Sequence, residues 1–295
     1  MLGNHLLGLY EKALNPQDSW PVRLGKAKAL GFDFMELSID EADSRLDRLY
    51  WPKEKLRALK RECELAELPL MSMCLSAHRR FPFGSRDLGI RSKAHEIMER
   101  AIGVAAELGI RVIQLAGYDV YYEPSTKESR EAFLDGLSRA AGLAAQRQIM
   151  LGVEIMDTAF YNSITKHLWF EERVASPWLR VYPDIGNLTA WGNDVPNELE
   201  RGISSIVGVH LKDTLAVTPV YAGRFKGVPF GSGCVDFQAF FRRMEMLGYR
   251  GPYLIEMWFD PAHDDACRAA EAKAFIEGRY KIAMADLEQP RTTRT

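Results

Sequence analysis

The sequence predicts a single α/β domain closed into a (β/α)8 TIM barrel. Three observations lead there. Eight short apolar runs alternate strictly with longer amphipathic stretches, the pattern of a parallel sheet with helical crossovers. Eight such units fit a chain of 295 residues as one closed barrel. No glycine-rich G-x-G-x-x-G loop follows the first apolar run, which removes the main mark of an open, doubly wound sheet.

Leu6 to Tyr10 is the first strand. Ser19 is placed to cap a helix that runs to Leu30, with Pro21 in its first turn and Gly31 as its stop. Phe32 to Ile39 is the second strand and carries Glu36. Pro52 begins a charged helix with Leu56, Leu59 and Cys63 on its apolar face, and Leu68 to Ser76 is the third strand. After the loop His78 to Gly84, a helix from about Arg91 to Leu108 leads to the fourth strand, Ile110 to Ala116. A long amphipathic helix, Glu128 to Gln148, precedes the fifth strand, Ile149 to Met156. A helix over Ser163 to Val174 then leads to the sixth strand, Leu179 to Tyr182. Ile185 to Gly192 reads as a loop before a helix near Pro196. Val207 to Leu211 is the seventh strand, followed by a long glycine-rich loop reaching Gly233. Asp236 caps the helix to Leu247, Tyr253 to Met257 is the eighth strand, and a final helix spans Asp260 to Ala285. Leu30-Gly-Phe, Leu108-Gly-Ile and Leu247-Gly-Tyr repeat one helix-to-strand signal, a glycine stop followed by an apolar start. One domain is expected over residues 1–295, with 287–295 as a frayed tail.

Composition narrows the function. Lys and Arg number 38 against 40 Asp and Glu, so no excess of positive charge points to nucleic acid or an anionic membrane. No apolar run approaches the roughly 20 residues of a membrane span, and no signal-peptide pattern opens the chain. Cys63, Cys74, Cys234 and Cys267 form no C-x-x-C pair and read as reduced, buried thiols, so a cytoplasmic protein is expected.

The chemistry sits at strand ends. Val207-Gly-Val-His-Leu-Lys-Asp-Thr214 is an apolar strand carrying one histidine, His210. Three other strands end in a lone acid: Glu154, Asp184 and Glu256. These four residues lie 30, 26 and 46 positions apart, about one strand–helix unit each or one with a longer loop. Strand C-termini of a barrel meet on one face, and neighbouring strands are about 4.8 Å apart. One acid or histidine at a strand end is most often just solvated. Four on successive strands are costly to leave unpaired, and a single divalent cation satisfies them together. Three carboxylates and one imidazole suit Mn²⁺, Zn²⁺, Co²⁺ or Mg²⁺ without choosing among them. Asp40, Asp119 and Asp213 are weaker candidates, since a charge beyond a strand end is usually solvated.

Several longer runs carry a resemblance over about Leu6 to Ala285. They include Leu75-Ser-Ala-His-Arg-Arg-Phe-Pro-Phe-Gly-Ser-Arg-Asp87, Tyr182-Pro-Asp-Ile-Gly-Asn-Leu-Thr-Ala-Trp-Gly-Asn-Asp194, Val209-His-Leu-Lys-Asp-Thr214 and Leu254-Ile-Glu-Met-Trp258. The chain resembles the L-ribulose-5-phosphate 3-epimerases, also described as L-xylulose 5-phosphate 3-epimerases, of the xylose isomerase-like barrel superfamily. The resemblance implies a metal held by Glu154, Asp184, His210 and Glu256, with Glu154 and Glu256 doubling as the acid–base pair. It implies a homodimer, and a step in the catabolism of L-ascorbate or a related sugar acid.

The reaction gives its own reason for two carboxylates. Inverting C3 of a 2-ketose removes the proton next to the C2 carbonyl and returns one to the opposite face, so a base and an acid must flank the sugar. A metal on the C2 and C3 oxygens would stabilise the enediolate between them. For the phosphate, Arg79, Arg80, Arg86, Lys212 and Arg224 are the expected cations. His78, Gln114 and Asn187 are expected to meet substrate hydroxyls, with Tyr118, Trp191 and Trp258 lining the pocket and Trp20, Trp51 and Trp169 in the core or an interface. A free-ketose 3-epimerase or an aldose–ketose isomerase with the same metal set is the nearest rival. A repair endonuclease of the same superfamily needs a three-zinc cluster, and six histidines without a basic surface argue against it.

Overall fold

The computed structural model describes residues 1–288. Its strands are β1 (Leu7–Tyr10), β2 (Phe34–Ile39), β3 (Leu70–Leu75), β4 (Val112–Ala116), β5 (Met150–Glu154), β6 (Leu179–Tyr182), β7 (Val209–Leu211), β8 (Asp213–Leu215), β9 (Arg224–Val228) and β10 (Tyr253–Ile255). Eight of them form one parallel sheet in the order β6-β5-β4-β3-β2-β1-β10-β7. The two ends of that order meet. Val207 N donates to Val181 O at 3.1 Å, and His210 N donates to Pro183 O at 2.9 Å. Asp184 and His210 pair across the same seam. Pro183 has no N–H to donate to the ladder, so the closure between β6 and β7 is short.

Period-two alternation sorts the side chains. Met35, Leu37 and Ile39 of β2 join the large apolar layer between strands and helices. Phe34 faces inward, in a small cluster with Tyr10, Cys74 and Leu254. The interior fits because glycines stand opposite its largest rings. A Cβ on Gly208 would lie 2.6 Å from the Tyr182 ring, and one on Gly8 would collide with Phe34.

The repeated glycine stop takes the conformation it predicts: Gly31, Gly109 and Gly248 have φ of 73°, 79° and 72°. Asp236 caps its helix by accepting from Ala239 N at 2.9 Å. Asp87 does the same for Leu88–Leu108, which therefore starts three residues before the apolar period becomes visible. Two stretches read as loops are ordered. Ile185–Ala190 is a short helix capped by Asp184, and the glycine-rich segment after β7 folds back as the antiparallel pair β8–β9. Trp169 is 48% exposed, so it is not a core residue. Cys63 and Cys74 are buried, whereas Cys234 and Cys267 are exposed, and all four are free. The last helix, Asp265–Glu288, includes the first two residues of the expected tail, and 289–295 lie outside the described residues.

Candidate metal centre

Glu154 ends β5, Asp184 lies two residues beyond β6, His210 is central in β7, and Glu256 follows β10 directly. These are four consecutive staves of the barrel, and the four side chains are buried. One ligand-type atom from each lies within 4.8 Å of the others. His210 Nδ1 is 3.2 Å from Glu154 Oε1 and 3.9 Å from Glu256 Oε2. Its Nε2 points the other way, 3.0 Å from Glu36 Oε1. Glu36 Oε2 accepts from Ser72 Oγ at 2.7 Å.

Lys212 enters this cluster as a stand-in cation. Its ammonium is 2.7 Å from Asp184 Oδ2 and 3.0 Å from Glu256 Oε2. Both contacts are ion pairs, and they are the cationic partners of those two buried carboxylate oxygens. Gln114 Nε2 donates to Glu154 Oε2, while Gln114 Oε1 and Asn187 Oδ1 are buried without partners.

Charge explains the perturbed groups. Burial pushes the Asp184 carboxyl up to about 8, with Glu256 and Glu154 adding to the rise against Lys212. Burial also raises Glu154. For Glu256, burial acts upward, but Lys212 and His210 outweigh it and hold the carboxyl down at about 2. His210 is raised well above the usual imidazole range because Glu36, Glu154 and Glu256 overcome its desolvation. Four buried carboxylates, Glu36, Glu154, Asp184 and Glu256, thus face one lysine and one imidazole. A divalent cation fits that surplus of carboxylates and the set of three oxygen donors with one nitrogen.

The other residues singled out in the sequence divide. Asn187 belongs to the site: its backbone N donates to Asp184 Oδ1 at 2.8 Å and its Nδ2 to Ile155 O at 2.9 Å. Arg79 lies over the Tyr121 ring at 4.8 Å, donates to Tyr118 at 3.4 Å, and leaves its Nε buried without a partner. Trp258 stands between Lys212 and Lys226, 5.6 and 5.4 Å from the two ammonium groups. Beside it a cleft of about 140 Å³ opens between β10, the β8–β9 hairpin and the last helix.

Other nominated residues have partners of their own in this structure. His78 is 3% exposed, hydrogen-bonded to Ala94 O at 3.2 Å and packed at a tilt on Phe83 at 4.4 Å, because its short 3-10 turn folds it under the helix Leu88–Leu108. Lys212 is held by Asp184 and Glu256 and lines the cleft beside Trp258. Arg224 is exposed and donates to Lys226 O and Gly227 O on its own strand. Arg80 pairs with Asp43 at 2.7 Å, and the Arg86 side chain is exposed. Asp213 is not solvated either: its carboxylate takes the backbone N–H groups of Gly231 and Gly233, both at 2.9 Å, and fixes the loop after the hairpin. Glu36 is the site residue that sequence reading passed over. Its one signal was an acid in the middle of an apolar strand.

Comparison with known proteins agrees with this geometry. Residues 24–278 match the xylose isomerase-like TIM barrel family. The chain is 54% identical over 280 residues to the putative L-ribulose-5-phosphate 3-epimerase SgbU of Escherichia coli (strain K12), covering 95% of this chain and 98% of that one. It is 50% identical over 277 residues to the L-ribulose-5-phosphate 3-epimerase UlaE of Escherichia coli O157:H7, covering 94% and 95%. A solved L-ribulose 3-epimerase superposes with a TM-score of 0.77 at 19% identity, covering 97% and 99%, which speaks for the fold alone.

Proposed function

The chain belongs to the xylose isomerase-like TIM barrel family, and on that premise we propose that it is a metal-dependent 3-epimerase interconverting L-xylulose 5-phosphate and L-ribulose 5-phosphate. The observation that carries the reading is the buried quartet Glu154, Asp184, His210 and Glu256, in a chain half identical to L-ribulose-5-phosphate 3-epimerases. These four residues would hold the cation. When bound, a divalent ion supplies Lewis-acid stabilisation for the negative charge that develops at the ketose oxygens; Zn²⁺, Mn²⁺, Co²⁺ and Mg²⁺ all suit the donors.

The chain's own groups move the proton. Glu154 and Glu256 sit on β5 and at the end of β10, on either side of the Asp184 and His210 staves. One carboxylate takes the C3 proton and the other returns a proton to the opposite face, through an enediolate. Gln114 holds Glu154 Oε2 and so fixes the carboxylate's orientation. Asn187 Oδ1, buried and unpartnered, accepts from a substrate hydroxyl. Among the cations nominated from sequence we assign the phosphate to Arg79, whose Nε is buried without a partner and whose guanidinium lies over the Tyr121 ring. Among the described residues no helix is long and apolar enough to cross a membrane. We read the enzyme as a cytoplasmic homodimer, by family resemblance, with light scattering as the check.

The test is exchange of the C3 proton with solvent deuterium, followed with the phosphorylated and the free ketose. Exchange and turnover on the phosphate ester, with little on the free sugar, support the reading. Equal turnover on both makes it a free-ketose epimerase, and aldose formation makes it an isomerase.

A further inference from the structure

Glu36 is an unusual residue to find where it is. It lies mid-strand in β2 with no solvent exposure, and the residues beside it, Met35 and Leu37, face the apolar layer. An isolated carboxylate there would be costly. It has two partners, and they come from distant parts of the chain: Ser72 of β3 donates to Oε2 at 2.7 Å, and His210 Nε2 stands 3.0 Å from Oε1. The carboxylate therefore ties β2 and β3 to β7 across the barrel interior.

The consequence concerns which imidazole nitrogen is free. His210 has its Nδ1 turned to Glu154 and Glu256, where the cation would sit, and its Nε2 turned to Glu36. A histidine binds a metal through a bare nitrogen, so the proton must reside on the other one. Ser72 occupies one oxygen of Glu36 as a donor, which leaves the second as an acceptor aimed at Nε2. A carboxylate in that position favours the Nε2–H form, holds the ring plane and makes Nδ1 more basic.

Resting on the metal-centre reading above, we infer that Glu36, braced by Ser72, is the positioning residue that sets the tautomer of His210 and thereby the metal affinity of the site. It touches neither metal nor substrate and acts only through the imidazole.

The experiment loads the full-length, metal-stripped protein with Co²⁺ in competition with a chromophoric chelator, and compares wild type with Glu36→Gln and Ser72→Ala. Glu36→Gln should lower Co²⁺ affinity by about 10–100-fold and shift the visible absorption of the bound ion. Its lost turnover should return as Co²⁺ is raised, which damage to the fold would not allow. Nitrogen-15 NMR of the metal-loaded wild-type protein should show His210 protonated on Nε2. Ser72→Ala should lower affinity several-fold in the same direction, and it decides the matter if Glu36→Gln does not fold. Unchanged affinity and spectrum in the folded variants, or a proton on Nδ1 in the loaded protein, overturns the inference while leaving the metal centre standing. A wild-type protein that binds no Co²⁺ overturns the metal centre and the inference together.

Discussion

His167 and His210 are both fully buried against a glutamate, and they end up with opposite tasks. His167, in the outer wall, bonds Tyr161 through Nδ1 at 2.9 Å and Glu171 through Nε2 at 2.9 Å. Glu171 is completed by Arg180 at 2.9 Å and by the Ser205 hydroxyl. One carboxylate meets one guanidinium, and none of these side-chain atoms is buried without a partner. Burial then dominates, and the His167 pKa is lowered. His210 meets Glu36 at nearly the same distance, yet its surroundings hold a surplus of carboxylates, two of which share the one lysine. Its pKa moves the other way. A histidine–glutamate contact alone therefore says little. The balance of charge separates a self-contained network from a cluster that could hold a cation.

The strongest way to sharpen this contrast is to neutralise one carboxylate in each network. At the mouth, Glu154→Gln and Glu256→Gln should each cut kcat for ketose-phosphate epimerisation and C3 exchange by about 10²–10⁴-fold. Thermal melting should barely change, because each removes negative charge from an overcrowded cluster. Either variant turning over at near-normal rate would refute the paired-carboxylate mechanism. In the wall, Glu171→Ala should do the reverse. It strands His167 Nε2 and leaves Arg180 only its backbone acceptors, and should cost roughly 1–3 kcal/mol in denaturant unfolding with kcat/KM unchanged. A large activity loss there would mean the two networks are coupled.

The contrast also shows what the sequence could and could not disclose. Glu154, Asp184 and Glu256 were legible because each interrupts an apolar strand at its end, where barrel geometry alone says the side chains meet. Glu36 interrupts its strand in the middle, and its meaning depends on a residue 174 positions away, a pairing no local pattern encodes. The β8–β9 hairpin was hidden by glycines and prolines that read as loop, and its turn back onto Asp213 is a tertiary contact. His78 failed for a related reason. A histidine after a strand end was read as lying in an open loop, but the residues that follow, Arg79 to Gly84, fold it under a helix and against Phe83.

That misplacement leads to the smallest effect. His78 is buried, its nearest charged or titratable neighbour is His95, and its one hydrogen bond runs to a backbone carbonyl. Burial, aided by repulsion from His95, lowers its pKa from 6.5 to about 4. Above pH 6.5 the imidazole is neutral in both folded and unfolded chains, and the contribution to stability is fully present. Between 6.5 and about 4 the unfolded chain takes up a proton that the folded one refuses, so stability falls with pH, by at most about 1.4 kcal/mol per pH unit. His167, also lowered, adds a slope of the same sign. His78→Phe keeps a ring for Phe83 to pack on and removes the proton site, while leaving Ala94 O without its donor. The variant should be slightly less stable at pH 7.5 and lose less stability than wild type between pH 6.5 and 5 in urea unfolding. If the two pH slopes are identical, His78 is not neutral in the folded protein. An unchanged KM for the ketose phosphate would separately place it outside the site.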